Sequence, residues 1–154
     1  MIVISNTSPL IALSRIHQLS ILKHLFQKVY IPESVFQESV LQSNVAIQKE
    51  NISKAIAEEF IIVAKSQTVY AFKRKLDFGE RGVINLAFDK QADFLIIDDK
   101  KARNEAKELG FKVLNTSTLI KRAEMFNLIS SYSDIIDELE KITIYLPKNP
   151  KANS

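Results

Sequence analysis

Apolar positions along this chain follow two rhythms. Short unbroken runs, "MIVIS", "KVYI", "FIIVA", "DFLII" and "FKVL", have the length of strands buried on both faces. Between them, apolar residues recur at three- and four-residue spacing, which predicts helices. Two run through "PLIALSRIHQLSILKHLF", one lies in "PESVFQESVLQ", and a further one reaches about Glu59. After a segment around "TVYAFKRK" come "GERGVINLAFDKQ", "DKKARNEAKELG" and a helix from Ser117. This alternation predicts an α/β fold, a three-layer α/β/α sandwich around a central, mainly parallel sheet.

Local signals agree with that pattern. Gly110 is placed to close its helix in the left-handed conformation. "NTSPLI" at residues 6–11 and "NTSTLI" at residues 115–120 each follow an apolar run, so the same strand-to-helix turn is expected twice. In both, Thr or Ser can cap the incoming helix, and Pro9 suits a first helical turn. Both turns fall at carboxyl ends of strands, the edge of a parallel sheet where ligands bind.

Four Pro, three Gly and no low-complexity linker in 154 residues predict one domain, residues 1–146, with "PKNPKANS" at 147–154 as a flexible tail. A chain of this length can bury its own core. The absence of cysteine excludes disulfides, thiolate nucleophiles and zinc fingers, and leaves carboxylates as the candidate metal ligands. It also fits a reducing, cytoplasmic setting. No apolar run approaches the roughly 20 residues that span a bilayer, and "MIVIS" lacks a basic leader, so no membrane association is expected. The three Asn-x-Ser/Thr triplets, at Asn6, Asn51 and Asn115, then need structural rather than glycosylation roles. A net charge of +3 permits a nucleic-acid partner without demanding one. Its strongest clusters are Lys73-Arg74-Lys75 and Lys100-Lys101 with Arg103; the ordinary role of such runs is a solvated face. His17 and His24 have neither metal spacing nor a nucleophile partner and read as surface positions.

Several acids are placed unlike surface charges. Glu80 shares a helical face with Val83, Ile84 and Ala87, so it either points towards the core edge or complements the helix dipole from the first turn. Asp98 and Asp99 end the run "FLII", and one of the two can cap the following helix. Glu38 lies on the same side of its helix as Val35. Were Glu38, Glu80 and Asp98 or Asp99 to meet at the turn holding Asn6, they would form an oxygen-only pocket suited to Mg²⁺ or Mn²⁺. Lys100, Lys101 and Arg103 would then attract a polyanionic substrate. A receiver-like signalling domain fits less well, because its acidic pair belongs near the first strand, which here ends in Asn6.

"ISNTSPLIAL", "VYIPESVFQES", "FGERGVINLA" and "FLIIDDKKARNEAKELGFKV", in that order, resemble the PIN domain superfamily and its VapC-like branch, the DUF3368 family of predicted nucleic-acid-binding proteins. The resemblance runs from Met1 to about Leu128. It implies an α/β/α sandwich and a metal-dependent endoribonuclease acting on single-stranded RNA, with Mg²⁺ or Mn²⁺ as cofactor. The family's acids would fall on Glu38, Glu80 and Asp98, with Asp99 adjacent and able to substitute, and its first acid on Asn6, flanked by Thr7 and Ser8. Ser8, Lys100, Lys101 and Arg103 would contact the nucleic acid. Many relatives are homodimeric toxins silenced by a small antitoxin protein. Where the family pattern has Asp, this chain has Asn6, an uncharged ligand, so the resemblance implies either a nuclease or a weakened module that binds RNA or a protein partner.

Overall fold

Five short strands, β1 (Val3–Ser5), β2 (Val29–Pro32), β3 (Ile61–Ala64), β4 (Phe94–Ile96) and β5 (Val113–Leu114), build one sheet in the computed structural model, which describes residues 1–147. The strand order is β3-β2-β1-β4-β5, and every pairing is parallel. A parallel sheet is covered on both faces, so its strands carry apolar side chains whichever way they point. Val3, Ile4, Leu95, Ile96 and Ile97 are all fully buried.

The helices are α1 (Thr7–Arg15), α2 (Ser20–Phe26), α3 (Glu33–Phe36), α4 (Ala46–Ala57), α5 (Phe78–Lys90), α6 (Lys100–Glu108), α7 (Thr116–Met125) and α8 (Tyr132–Lys141). The chain moves outward from β1 to β3, then crosses back to β4 beside β1. Right-handed crossovers therefore put α5 and α6 on the face opposite α1, α2 and α4. A small second core of Ala12, Ile120, Ile135 and Leu139 joins α1, α7 and α8. Between β1 and β4 the strand order reverses, and the loops leaving those two strands diverge there. Asn6 follows β1 at this point, and its N–H extends the ladder by donating to Ile96 O at 2.9 Å.

Helix α3 does not end where its hydrogen bonding changes. It widens into a π-helical turn over Gln37–Leu41, closed by Gln42 N–H donating to Gln37 O, five residues back, at 2.8 Å. Buried Gln48 of α4 supports the turn by donating from Nε2 to Ser39 O at 2.7 Å, while its Oε1 accepts from Arg15 Nε at 2.9 Å. Ser39 Oγ donates to Val35 O at 2.6 Å. Asn51, another of the Asn-x-Ser triplets, ties α4 to α1 by donating to Ser14 O at 2.7 Å.

The structure adds elements that the apolar rhythm did not predict. Helix α8 is started by Ser131 Oγ, which accepts from Asp134 N–H at 3.0 Å, and it buries Ile135 and Leu139. The "TVYAFKRK" stretch is an irregular strap: Tyr70 stacks on Phe88 of α5, and Glu105 of α6 accepts the N–H groups of Lys73 and Arg74 at 2.8 and 3.1 Å. Gly110 has φ +94°, as the end of α6 requires. Of the tail expected at 147–154, Pro147 is anchored by its carbonyl, which accepts from Ser117 Oγ at 3.3 Å, and residues 148–154 lie outside the described residues. Among the described residues no helix is long and apolar enough to cross a membrane.

Replacing Gln48 by Leu leaves the Ser39 carbonyl and Arg15 Nε without their partner in a buried setting. A loss of about 1–3 kcal/mol is expected, seen as a lower urea midpoint at unchanged slope.

Candidate active site

The two Asn-Thr-Ser turns share a backbone shape and differ in what the amide does. Asn115 caps α7, its Oδ1 accepting from Thr118 N–H at 2.9 Å and from the Thr118 hydroxyl at 2.8 Å. Asn6 stands at the same point before α1, with φ −81° and ψ 176°, yet its side chain makes no capping bond. Its Oδ1 is buried and has no hydrogen-bond partner among the described residues. The cap position thus belongs to Asn in both turns, rather than to Thr or Ser as the sequence suggested, and only Asn115 uses it. A buried carbonyl left unpaired costs about 1–3 kcal/mol, which marks Asn6 as an oxygen waiting for a donor or a cation.

The threonine that follows each asparagine explains why the motif occurs twice. Thr7 donates from Oγ1 to Glu38 Oε1 at 2.6 Å, and Thr116 gives its N–H and its hydroxyl to the two oxygens of Asp98, each at 2.7 Å. In each case the first helical residue holds a carboxylate from another element.

Gly79, in the first turn of α5, is where three of these groups meet. A methyl added there would overlap Glu38 Oε1 and stand 3.1 Å from Thr7 Oγ1 and 3.2 Å from Asn6 Oδ1. Three oxygens therefore crowd one point that only glycine leaves open. Glu80, the next residue, is buried and closes a capping box: its Oε1 accepts from Asp77 N–H at 3.0 Å, and Asp77 Oδ1 accepts from Glu80 N–H at 2.8 Å. The two roles weighed for Glu80 are both present, since it caps the helix and is buried at the sheet edge.

The acidic pair divides in the same way. Asp99 is the N-cap of α6, accepting from Ala102 N–H at 2.9 Å with one oxygen, and is otherwise exposed. Asp98 is buried against Thr116. Burial pushes the Asp98 carboxyl up, against the two Thr116 hydrogen bonds and the charge of Arg103. Burial also pushes Glu80 up, opposed by the Asp77 N–H and assisted by the charges of Asp77 and Asp99, while Lys101 draws it down.

The structure thus gathers Asn6, Thr7 and Glu38 around Gly79, with Glu80 next in the chain and within electrostatic reach of Asp99 and Lys101. Asp98 stands apart, bonded to Thr116, which donates one hydrogen bond to each of its oxygens and leaves each a further lone pair. Among the described residues no three acidic or histidine side chains are close enough to enclose a metal ion. The donors present, an amide oxygen and single carboxylate oxygens, fit a hard divalent cation that keeps most of its water rather than a closed protein cage.

Of the basic clusters, Lys73 and Arg74 are committed elsewhere. Arg74 pairs with Glu105 at 2.9 Å and with Glu108, and Lys73 with Glu108 at 3.6 Å. Lys100 and Lys101 are exposed at the start of α6, Ser8 is exposed at the start of α1, and Arg103 is half-buried on the Asp98 side. His17 sits in the turn after α1 with its Nδ1 3.2 Å from Asn51 Nδ2, and His24 is exposed on α2. Sequence reasoning passed over Gly79 and Thr116; the repeated "NTS" was the available signal for the latter.

Comparison with known proteins bears on the family and the fold. The family model described as DUF3368, PIN domain, matches residues 2–153. A PilT N-terminus domain protein from the archaeon Sulfolobus solfataricus has a similar fold, with a TM-score of 0.55 at 22% identity, covering 80% of this chain and 93% of that one. A domain of a functionally unknown protein from Methanocaldococcus jannaschii gives a TM-score of 0.52 at 23% identity, covering 74% and 89%. No curated protein matches significantly.

The raised Asp98 and Glu80 carboxyls set a pH dependence. The folded chain holds their protons to higher pH than the unfolded chain, so their contribution to stability falls as pH rises from the ordinary value through the raised one and is level above it. Asp98→Asn removes the Asp98 share. Urea midpoints taken from pH 4 upward, by about half a unit, are expected to show the wild type losing ground to the variant across that window; parallel profiles would refute the assignment.

Proposed function

We propose that this chain, which belongs to the PIN domain family, is a metal-dependent endoribonuclease that hydrolyses single-stranded RNA at the carboxyl edge of its sheet. PIN domains are generally nucleases that use divalent ions, and the observation that carries the reading here is the convergence at Gly79. Asn6 Oδ1, Thr7 Oγ1 and Glu38 Oε1 meet there, and the first of them is buried without a partner.

In this reading Asn6 Oδ1 and Glu38, with Asp98 and Asp99 at the same sheet edge, would hold Mg²⁺ or Mn²⁺ together with water. When bound, the ion supplies a water of lowered pKa and offsets charge on the leaving oxygen. Thr7 fixes the Glu38 carboxylate, so its orientation is set before any ligand arrives. Glu80, whose ionised form burial disfavours, is the carboxylate suited to take a proton from the attacking water. Asp98, oriented by Thr116 with a lone pair left on each oxygen, stands at the same edge. Lys100 and Lys101 draw the phosphate backbone to this edge.

Two observations favour a second reading, in which the chain binds RNA with little or no cleavage. Asn6 brings no charge, and among the described residues no three acidic or histidine side chains enclose an ion.

Cleavage of a single-stranded RNA in Mg²⁺ or Mn²⁺ separates the two. Under the nuclease reading, Glu38→Gln and Glu80→Gln each lower the rate by on the order of 10²-fold or more. Inactivity of the wild type with activity in Asn6→Asp would favour the second reading.

Gly79→Ala gives an independent check, because its methyl displaces the end of a flexible side chain. Stability is expected to fall by about 1–2 kcal/mol as the Thr7–Glu38 hydrogen bond is lost, partly offset by the better helix propensity of Ala. Metal affinity, followed by calorimetry, is expected to drop about tenfold to a hundredfold as the Glu38 carboxylate leaves its place.

A further inference from the structure

The chain after α8 is irregular, and its described part is tied at both ends. Ile144 N–H donates to Leu139 O at 2.9 Å, and Pro147 O accepts from Ser117 Oγ at 3.3 Å. Ile144 and Leu146 pack on the small core shared by α1, α7 and α8. Tyr145, between them, is 71% exposed.

Together with Ser8, Ile11 and Ala12 of α1, this segment lines a cleft of about 350 Å³ that also reaches Asp98 and Asp99. We propose that the cleft is a nucleobase subsite, in which Tyr145 stacks on one base of a single-stranded RNA whose neighbouring phosphate lies at the acidic edge. The proposal deepens the ribonuclease reading and rests on it.

Three features select this occupant. The volume suits one nucleoside and little more. The lining is mainly apolar, so the part of an RNA chain that fits is its flat, uncharged ring. The cleft is also continuous with the site already described, since Asp99 belongs to both and Lys100 and Lys101 follow it directly. Ser8 can donate or accept a hydrogen bond, and stacking is tolerant of base identity, so the subsite favours a base over no base without strong sequence preference.

The test is equilibrium binding of a fluorescein-labelled ten-nucleotide RNA and of an abasic oligomer with the same ribose-phosphate backbone. Both are measured in Ca²⁺ at fixed salt, with strand integrity checked on a gel. Tyr145→Ala is expected to weaken binding of the base-bearing strand by about five- to a hundredfold and to leave the abasic strand unchanged. Tyr145→Phe is expected to stay within about twofold of wild type. Equal binding by wild type and Tyr145→Ala, or equal weakening for both strands, overturns the subsite while leaving the nuclease reading intact. Failure of the wild type to bind either strand overturns both.

Discussion

Negative charge gathered at one edge of the sheet has to be held there, and helix N-termini do the holding. In a parallel sheet every strand ends at the same edge, so the helices that follow begin there and turn their positive ends towards it. Each acid of the candidate site uses such an end. Glu38 takes the hydroxyl of Thr7 at the start of α1 and lies against the first turn of α5, where Glu80 is also fixed. Asp99 caps α6, and Asp98 is held by the first residue of α7. Because the strand order reverses between β1 and β4, the helices that leave those two strands, α1 and α6, diverge around one gap.

Within that gap the acids are unequally committed. Asp98 is a latch between β4 and α7, with a Thr116 donor on each oxygen, while Glu38 and Asp99 each retain an oxygen with no protein donor among the described residues. Asn6 completes the group with an oxygen and no charge, which lessens the repulsion that a further carboxylate beside Glu38 would create and lessens the attraction for a cation by the same reasoning. On the basic side, Lys73 and Arg74 fasten the strap before α5 to α6. The exposed lysines at the start of α6 are the cations left beside the acids.

Much of this was legible in the sequence, and what was not has identifiable causes. Unbroken apolar runs announced strands buried on both faces, and the switch to helical spacing located the helices between them. Helix α8 escaped notice because its burial serves a small satellite core formed with α1 and α7, a partnership that no local pattern reveals. The acids at strand ends were recognisable by position, but their partners were not: Thr116 meets Asp98 across 18 residues and Thr7 meets Glu38 across 31. Glu80 could not be assigned to one role by spacing because it has two. Asn6 was visible as an amide where an acid was expected, whereas its unpaired oxygen became visible only beside Asn115, which has the same surroundings in sequence and uses its oxygen as a cap.

The π-helical turn after α3 has a consequence that concerns counting. Val35 and Val40 are both buried, five residues apart, and Glu38 lies between them. An α-helix turns about 100° per residue, so a five-residue interval would carry its two ends to different sides. The wider turn lets both valines face inward while the acid reaches Thr7 at the start of α1. A chain shortened by one residue here could close an ordinary helix with nearly the same composition, yet either the acid or the second valine would swing out of place. The position of the carboxylate is therefore written in the length of this interval as much as in the identity of its residues, and a single-codon deletion would move it without altering any side chain that touches it.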